Sequence, residues 1–251
     1  MKLTRKALRP VITFVLLNTI IFDAYSVSIS TRRLYLEPKR SITDIRVLNM
    51  EAQAQSCDVE IGDVNINNQG LIELSAESVN SAKPFIRLAP KRFNLAPKEH
   101  QMVKLIYRRK PGMEDGEYQG VVAIKCKDAI TEGNTQEQVT IRPTLVHNVP
   151  VIVRTTYMPI QAEFTATKIA GDILEAEIQI SGQRSLTGTL TLINSASNEI
   201  VTEQKNISIY AQQPKKSLAL PLDVGNDVPL LLRFTEDPNF GGDLVIQKTI
   251  R

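Results

Sequence analysis

Leu174-Glu175-Ala176-Glu177-Ile178-Gln179-Ile180 alternates apolar and polar residues without a break. A period of two puts every second side chain on one face, so the stretch reads as a strand with one face on a core and the other in water. The pattern returns downstream at Leu190 and Leu192, Leu218 to Leu222, Leu230 to Phe234, and Leu244 with Ile246. Upstream, Cys57-Asp58-Val59-Glu60-Ile61 alternates in the same way, and Tyr118, Val122, Ile124 and Cys126 share one face of a later strand. Strands are predicted near 28–36, 43–49, 56–66, 70–76, 84–88, 101–108, 117–126 and 138–154. Turn chemistry separates them, as at Glu37-Pro38, Asn67-Asn68-Gln69-Gly70 and Lys110-Pro111-Gly112. No long helical periodicity interrupts this order. Short strands at such spacing specify an all-β chain built as a sandwich or barrel.

The first residues read as an address. Lys2, Arg5, Lys6 and Arg9 precede an apolar run from Val11 to Phe22, and small residues lead to a cleavage point after Ser26. That order is a secretory signal peptide over residues 1–26. An apolar run of about 12 residues is too short to span a bilayer of roughly 30 Å as a helix. The leader holds four of the 30 basic and one of the 27 acidic residues, so the mature chain is charge-balanced. A neutral mature chain has no general attraction for phosphate or anionic lipid, which argues against nucleic-acid binding. The mature length suits two domains, predicted at 27–156 and 157–251 with the boundary near Thr155–Pro159.

Cys57 and Cys126 both lie in the exported part, on the core faces of their strands. In an immunoglobulin-like sandwich the third and sixth strands are antiparallel neighbours, which favours a disulfide over two buried thiols. Nothing in the sequence assembles a catalytic centre. His100 and His147 lack a nucleophile-elbow pattern, and phosphate loops and paired-cysteine zinc spacings are absent. The acidic run Glu114-Asp115-Gly116-Glu117 reads as a hairpin turn rather than a calcium loop. The expectation is a protein that is not an enzyme, with no cofactor, no metal and no small-molecule substrate.

Three stretches carry a resemblance. Ser30-Thr31-Arg32-Arg33-Leu34-Tyr35 is similar to the opening strand of the PapD-like periplasmic pilus chaperones. Pro84 to Pro97, continuing to Gln101-Met102-Val103-Lys104-Leu105, resembles that family's proline-rich turn and following strand. Val149-Pro150-Val151-Ile152-Val153-Arg154 resembles the strand that ends its first domain. The resemblance implies two immunoglobulin-like β-sandwich domains and a periplasmic chaperone. Such a chaperone lends a strand to a fimbrial or surface-fibre subunit that lacks one, and passes the subunit on, in some systems to an outer-membrane usher.

The resemblance also implies sites. Arg32 matches the family arginine that holds the subunit's terminal carboxylate. Pro150 stands where the family has its lysine, which leaves Arg33 and Arg154 as further candidate cations. Arg154 also suits an anchor between the domains. The donor-facing phase of the last strand runs through Ile141, Leu145 and Val149, with Pro143 and His147 between them. The expected state is a monomer or a weak dimer. The competing expectation is an exported structural or adhesive module that is itself part of a fibre.

Overall fold

The computed structural model describes residues 27–129, 144–225 and 228–250. The leader, Ile141 and Pro143 lie outside the described residues. The first half forms strands β1 (Val27–Ile29), β2 (Leu34–Leu36), β3 (Ile42–Asn49), β4 (Gln55–Ile66) and β5 (Ile72–Ser75). It continues with β6 (Ile86–Ala89), β7 (Arg92–Leu95), β8 (His100–Tyr107), β9 (Glu117–Asp128) and β10 (Leu145–Arg154). One sheet has the order β1-β3-β8-β6, and the facing sheet runs β2-β10-β9-β4-β5 with β7 also on β4. Leu36, Ile45, Leu105, Ile124 and Val151 from both sheets, with Phe85 of the short helical turn Lys83–Phe85, fill the space between them. Each such buried side chain contributes about 1.5–3 kcal/mol.

The second half forms β11 (Ile160–Ala170), β12 (Ile173–Gly182), β13 (Leu186–Asn194) and β14 (Glu199–Ile209). It closes with β15 (Lys215–Pro221), β16 (Leu230–Glu236) and β17 (Val245–Thr249). A sheet β11-β12-β15 faces a sheet β14-β13-β16-β17. Leu174 and Ile178 of the opening alternation pack with Leu190, Leu192, Leu232 and Phe234 in a separate core. The chain is therefore all-β, with two immunoglobulin-like sandwiches, and no sheet takes strands from both sides of residues 155–159.

In the antiparallel ladder of β4 and β9, Cys57 stands opposite Cys126, and a disulfide joins them with Cα atoms 4.2 Å apart. The two cysteines are 69 residues apart, so the bridge removes a large loop from the unfolded ensemble, by about 4 kcal/mol in the chain-entropy account.

Two departures from the predicted strands matter for function. Residues 28–36 are not one strand: β1 pairs with β3 in one sheet and β2 pairs with β10 in the other. The chain crosses between sheets at Ser30–Arg33, where Thr31 Oγ1 and the Arg33 main chain hydrogen-bond each other. The proline-rich stretch after Leu88 is likewise a crossing. β6 belongs to the first sheet, a cis Ala89–Pro90 bond follows, and β7 pairs with β4 in the second. Each crossing leaves a sheet edge incompletely covered.

Candidate functional site: the cleft between the sandwiches

The two sandwiches are joined by buried charge. Antiparallel pairing places Arg154, the last residue of β10, opposite Glu117, the first of β9. Arg154 Nε donates to Glu117 Oε2 at 2.8 Å, and both side chains are 3% exposed. The rest of the guanidinium reaches the second sandwich: Nη1 donates to Phe240 O at 2.7 Å and Nη2 to Ser185 O at 2.9 Å. Burial works against the charge of Arg154, but Glu117 outweighs it and holds the guanidinium ionised more firmly than usual. Glu117 in turn accepts from Ser185 N at 3.0 and 3.1 Å. Beside it, Arg184 grips both carboxylate oxygens of Glu236 and donates Nε to Met158 O.

Tyr35 lies under Arg154, with the guanidinium 5.0 Å from its ring centroid. Its hydroxyl donates to Glu37 Oε2 at 3.0 Å. Burial pushes the Tyr35 hydroxyl up to about 12, against the pull of Arg154 and with help from Glu37. Gly241 packs against that ring in the left-handed region, at φ 74°, and a Cβ there would collide with Tyr35. Every ionised group in this junction has its partners, which is what a buried charge requires.

Beside the junction the sandwiches leave a cleft of about 440 Å³. Arg32, Arg33, Arg40 and Asp44 line it from the first sandwich, and Asn206 and Asp237 from the second. Arg33 is held: its Nη1 donates to Thr187 Oγ1 at 3.2 Å, and it lies 5.8 Å from the Tyr210 ring and 5.9 Å from that of Phe240. Arg40 donates Nη1 to Asn239 O at 2.7 Å, which draws it across the cleft. Arg32 is exposed and makes no hydrogen bond or ion pair among the described residues.

β10 borders this cleft. Its last part pairs in parallel with β2, Val151 beside Leu34 and Val153 beside Leu36. Counting back along that register sets Arg32 and Arg33 level with Val149 and Pro150, where the pairing stops because the chain is crossing sheets. Among the described residues, β10 from Leu145 to Pro150 is paired with β9 only, and its other edge has no strand partner. The ladder to β9 passes Pro150 without a register shift, as expected when the missing N–H lies on the open side. Leu145 is 47% and Val146 42% exposed, an apolar pair at the start of the open edge.

The structure corrects three of the sequence expectations. Arg154 is not a free cation for a ligand, because its guanidinium is consumed by Glu117 and second-sandwich carbonyls. Val149 is 1% exposed and packs in the first core, so its side chain is not available to a partner's groove. Glu117, read as part of a hairpin turn, is instead the first residue of β9 and the buried partner of Arg154. Sequence reasoning missed Arg40, Arg184, Ser185 and Glu236. A signal existed for Glu117: opposite charges close one strand and open its antiparallel neighbour.

No protein-family model and no curated protein matches the chain. Among solved structures, the YadV chaperone is 10% identical with a TM-score of 0.47, over 89% of this chain and 99% of that one. The CsuC–CsuE complex of a chaperone with a tip adhesion subunit, from Acinetobacter baumannii, is 10% identical with a TM-score of 0.47, over 88% and 97%. The E. coli chaperone DraB is 14% identical with a TM-score of 0.44, over 90% and 98%.

Proposed function

We propose that the protein is an exported chaperone that caps a fimbrial or surface-fibre subunit by lending it β10. The observation that carries this reading is the coincidence, among the described residues, of a strand edge without a partner strand and an arginine without a partner at its end. Main-chain groups along Leu145–Pro150 would pair with an extended strand of the client, and Leu145, on the donor-facing phase, would meet its exposed core. Arg32 would hold the client's terminal carboxylate, with Arg40 supplying the second charge that Pro150 does not. Charge-assisted bonds of this type are worth about 1.5–3 kcal/mol each. Export to the periplasm, the domains 27–156 and 157–251, and a non-enzymatic role are parts of the same reading.

The test is purification of the tagged protein from cells making surface fibres, with mass spectrometry of what accompanies it. The expected result is a small exported β protein in stoichiometric amount, absent from the Arg32→Ala preparation. A chain recovered in the shed fibres themselves would instead make it a structural or adhesive module.

A further inference from the structure

A second opening lies where the chain crosses between sheets from β6 to β7. It encloses about 920 Å³ and is floored by Val59 and Ile61 of β4 and by Ile86 and Leu88 of β6. Two strands leave main-chain groups facing it. Arg108 N donates to Phe85 O at 2.6 Å, which sets the phase of the β6–β8 ladder. Groups of Phe85, Arg87 and Ala89 then face β8, while those of Ile86 and Leu88 face the opening. The Ile86 N–H is spent on Lys83 O, but among the described residues the Leu88 N–H and C=O have no partner on that edge.

Across the opening, Val59 N donates to Lys91 O at 2.7 Å, and β7 pairs with β4 only as far as Asp58. β5 takes over at Asp63. Ile61, on the same edge and between the two partners, presents its N–H and C=O to the same space. Buried main-chain groups are rarely left without partners, so an incomplete pair of edges is a place for a strand.

The rim decides which strand. Lys83 is bound to Asp63 and Arg92 to Asp58, both at 2.8 Å. Arg87, Lys91 and Lys125 line the opening without an ion pair among the described residues, against the single unpaired acid Glu60. Such a rim attracts carboxylates and repels a basic strand.

We propose that this opening is a strand-pairing site for an extended acidic segment of a partner protein. The segment bonds to Leu88 and Ile61 and sets alternate carboxylates against Arg87, Lys91 and Lys125. This site uses a different edge from β10 and does not depend on the chaperone reading.

The probe is an N-acetylated, C-amidated peptide of Glu-Val repeats, whose blocked end gives Arg32 no carboxylate terminus to hold. Titration calorimetry on the whole chain, with amide exchange followed at Leu88 and Ile61, reads the result. Expected are saturable binding, slowed exchange at both amides, and no binding of the Lys-Val peptide. The Arg87→Glu/Lys125→Glu variant should weaken binding about tenfold, the scale of a few rim ion pairs, and Arg32→Ala should leave it unchanged. Absence of saturable binding, equal binding of both peptides, or loss of binding in Arg32→Ala would each overturn the proposal.

Discussion

Two sets of arginines meet where the sandwiches touch, and they do opposite things. Arg154 and Arg184 are buried, and their guanidinium groups are used up by Glu117, Glu236 and main-chain carbonyls. Arg32 and Arg40 stand in the cleft a few residues away in the fold, exposed and with donors to spare. The difference is one of desolvation. A guanidinium taken from water must have its partners built in, and so becomes a bolt. One left at the rim keeps its hydration and can exchange it for a ligand. The bolted pair fixes the junction beside the cleft, where Arg40 is held through one donor to Asn239 O and Arg32 stands exposed.

Removing a bolt should have the largest effect. Arg154→Ala strands Glu117 without its cation and should cost about 3–5 kcal/mol in urea unfolding. A cost near that of a surface substitution would break the distinction. Alkaline pH tests the same junction from its aromatic side. Tyr35 is held neutral, with its pKa raised from 10.0 to about 12. Stability from that group is therefore complete below about pH 10 and lost as the pH rises towards 12, by about 2–3 kcal/mol. Tyr35→Phe should flatten that part of the stability profile, and an unchanged slope would show that the group does not titrate there.

The rim should behave otherwise. Arg32→Ala should leave stability within about 0.5 kcal/mol. It should weaken binding of a peptide with a free C-terminus by about 1.5–3 kcal/mol, and not that of its amidated counterpart. Equal loss for both peptides would remove the carboxylate from the account. The smallest effect is expected at Ser185. Its main chain serves Glu117, Arg154 and Arg184, but its buried hydroxyl has no partner among the described residues. Ser185→Ala should shift stability by no more than about 0.5 kcal/mol in either direction, and a larger loss would reveal a bond to the hydroxyl.

Strand by strand, the alternations at Cys57–Ile61 and Leu174–Ile180 are legible because a half-buried strand must place apolar residues two apart. β11 and β14 were not anticipated. They lie at sheet edges, and β14 in particular has a run of exposed residues from Glu203 to Asn206, so burial imposes no clean period on it. The cysteine pair was legible for the reason that the strands were: both thiols fall on core faces. At the cleft, Arg32 was legible only through its surroundings in a familiar-looking stretch. Arg40 follows Glu37-Pro38 in what reads as an ordinary turn, and only contact with Asn239 marks it.

By itself the sequence determined that the chain is all-β and, along its cleanly alternating strands, which side chains face a core. These properties depend on residues within a few positions of one another and on the preference of apolar groups for burial. Only the tertiary structure decided that β1 and β2 belong to different sheets, that β10 is half buried and half open, and that Arg154 is bolted while Arg32 is free. Those outcomes depend on pairings across as many as 200 positions, as between Arg40 and Asn239, 199 residues apart. Local periodicity records which face of a strand is wet. It does not record which neighbour arrives to cover its edge.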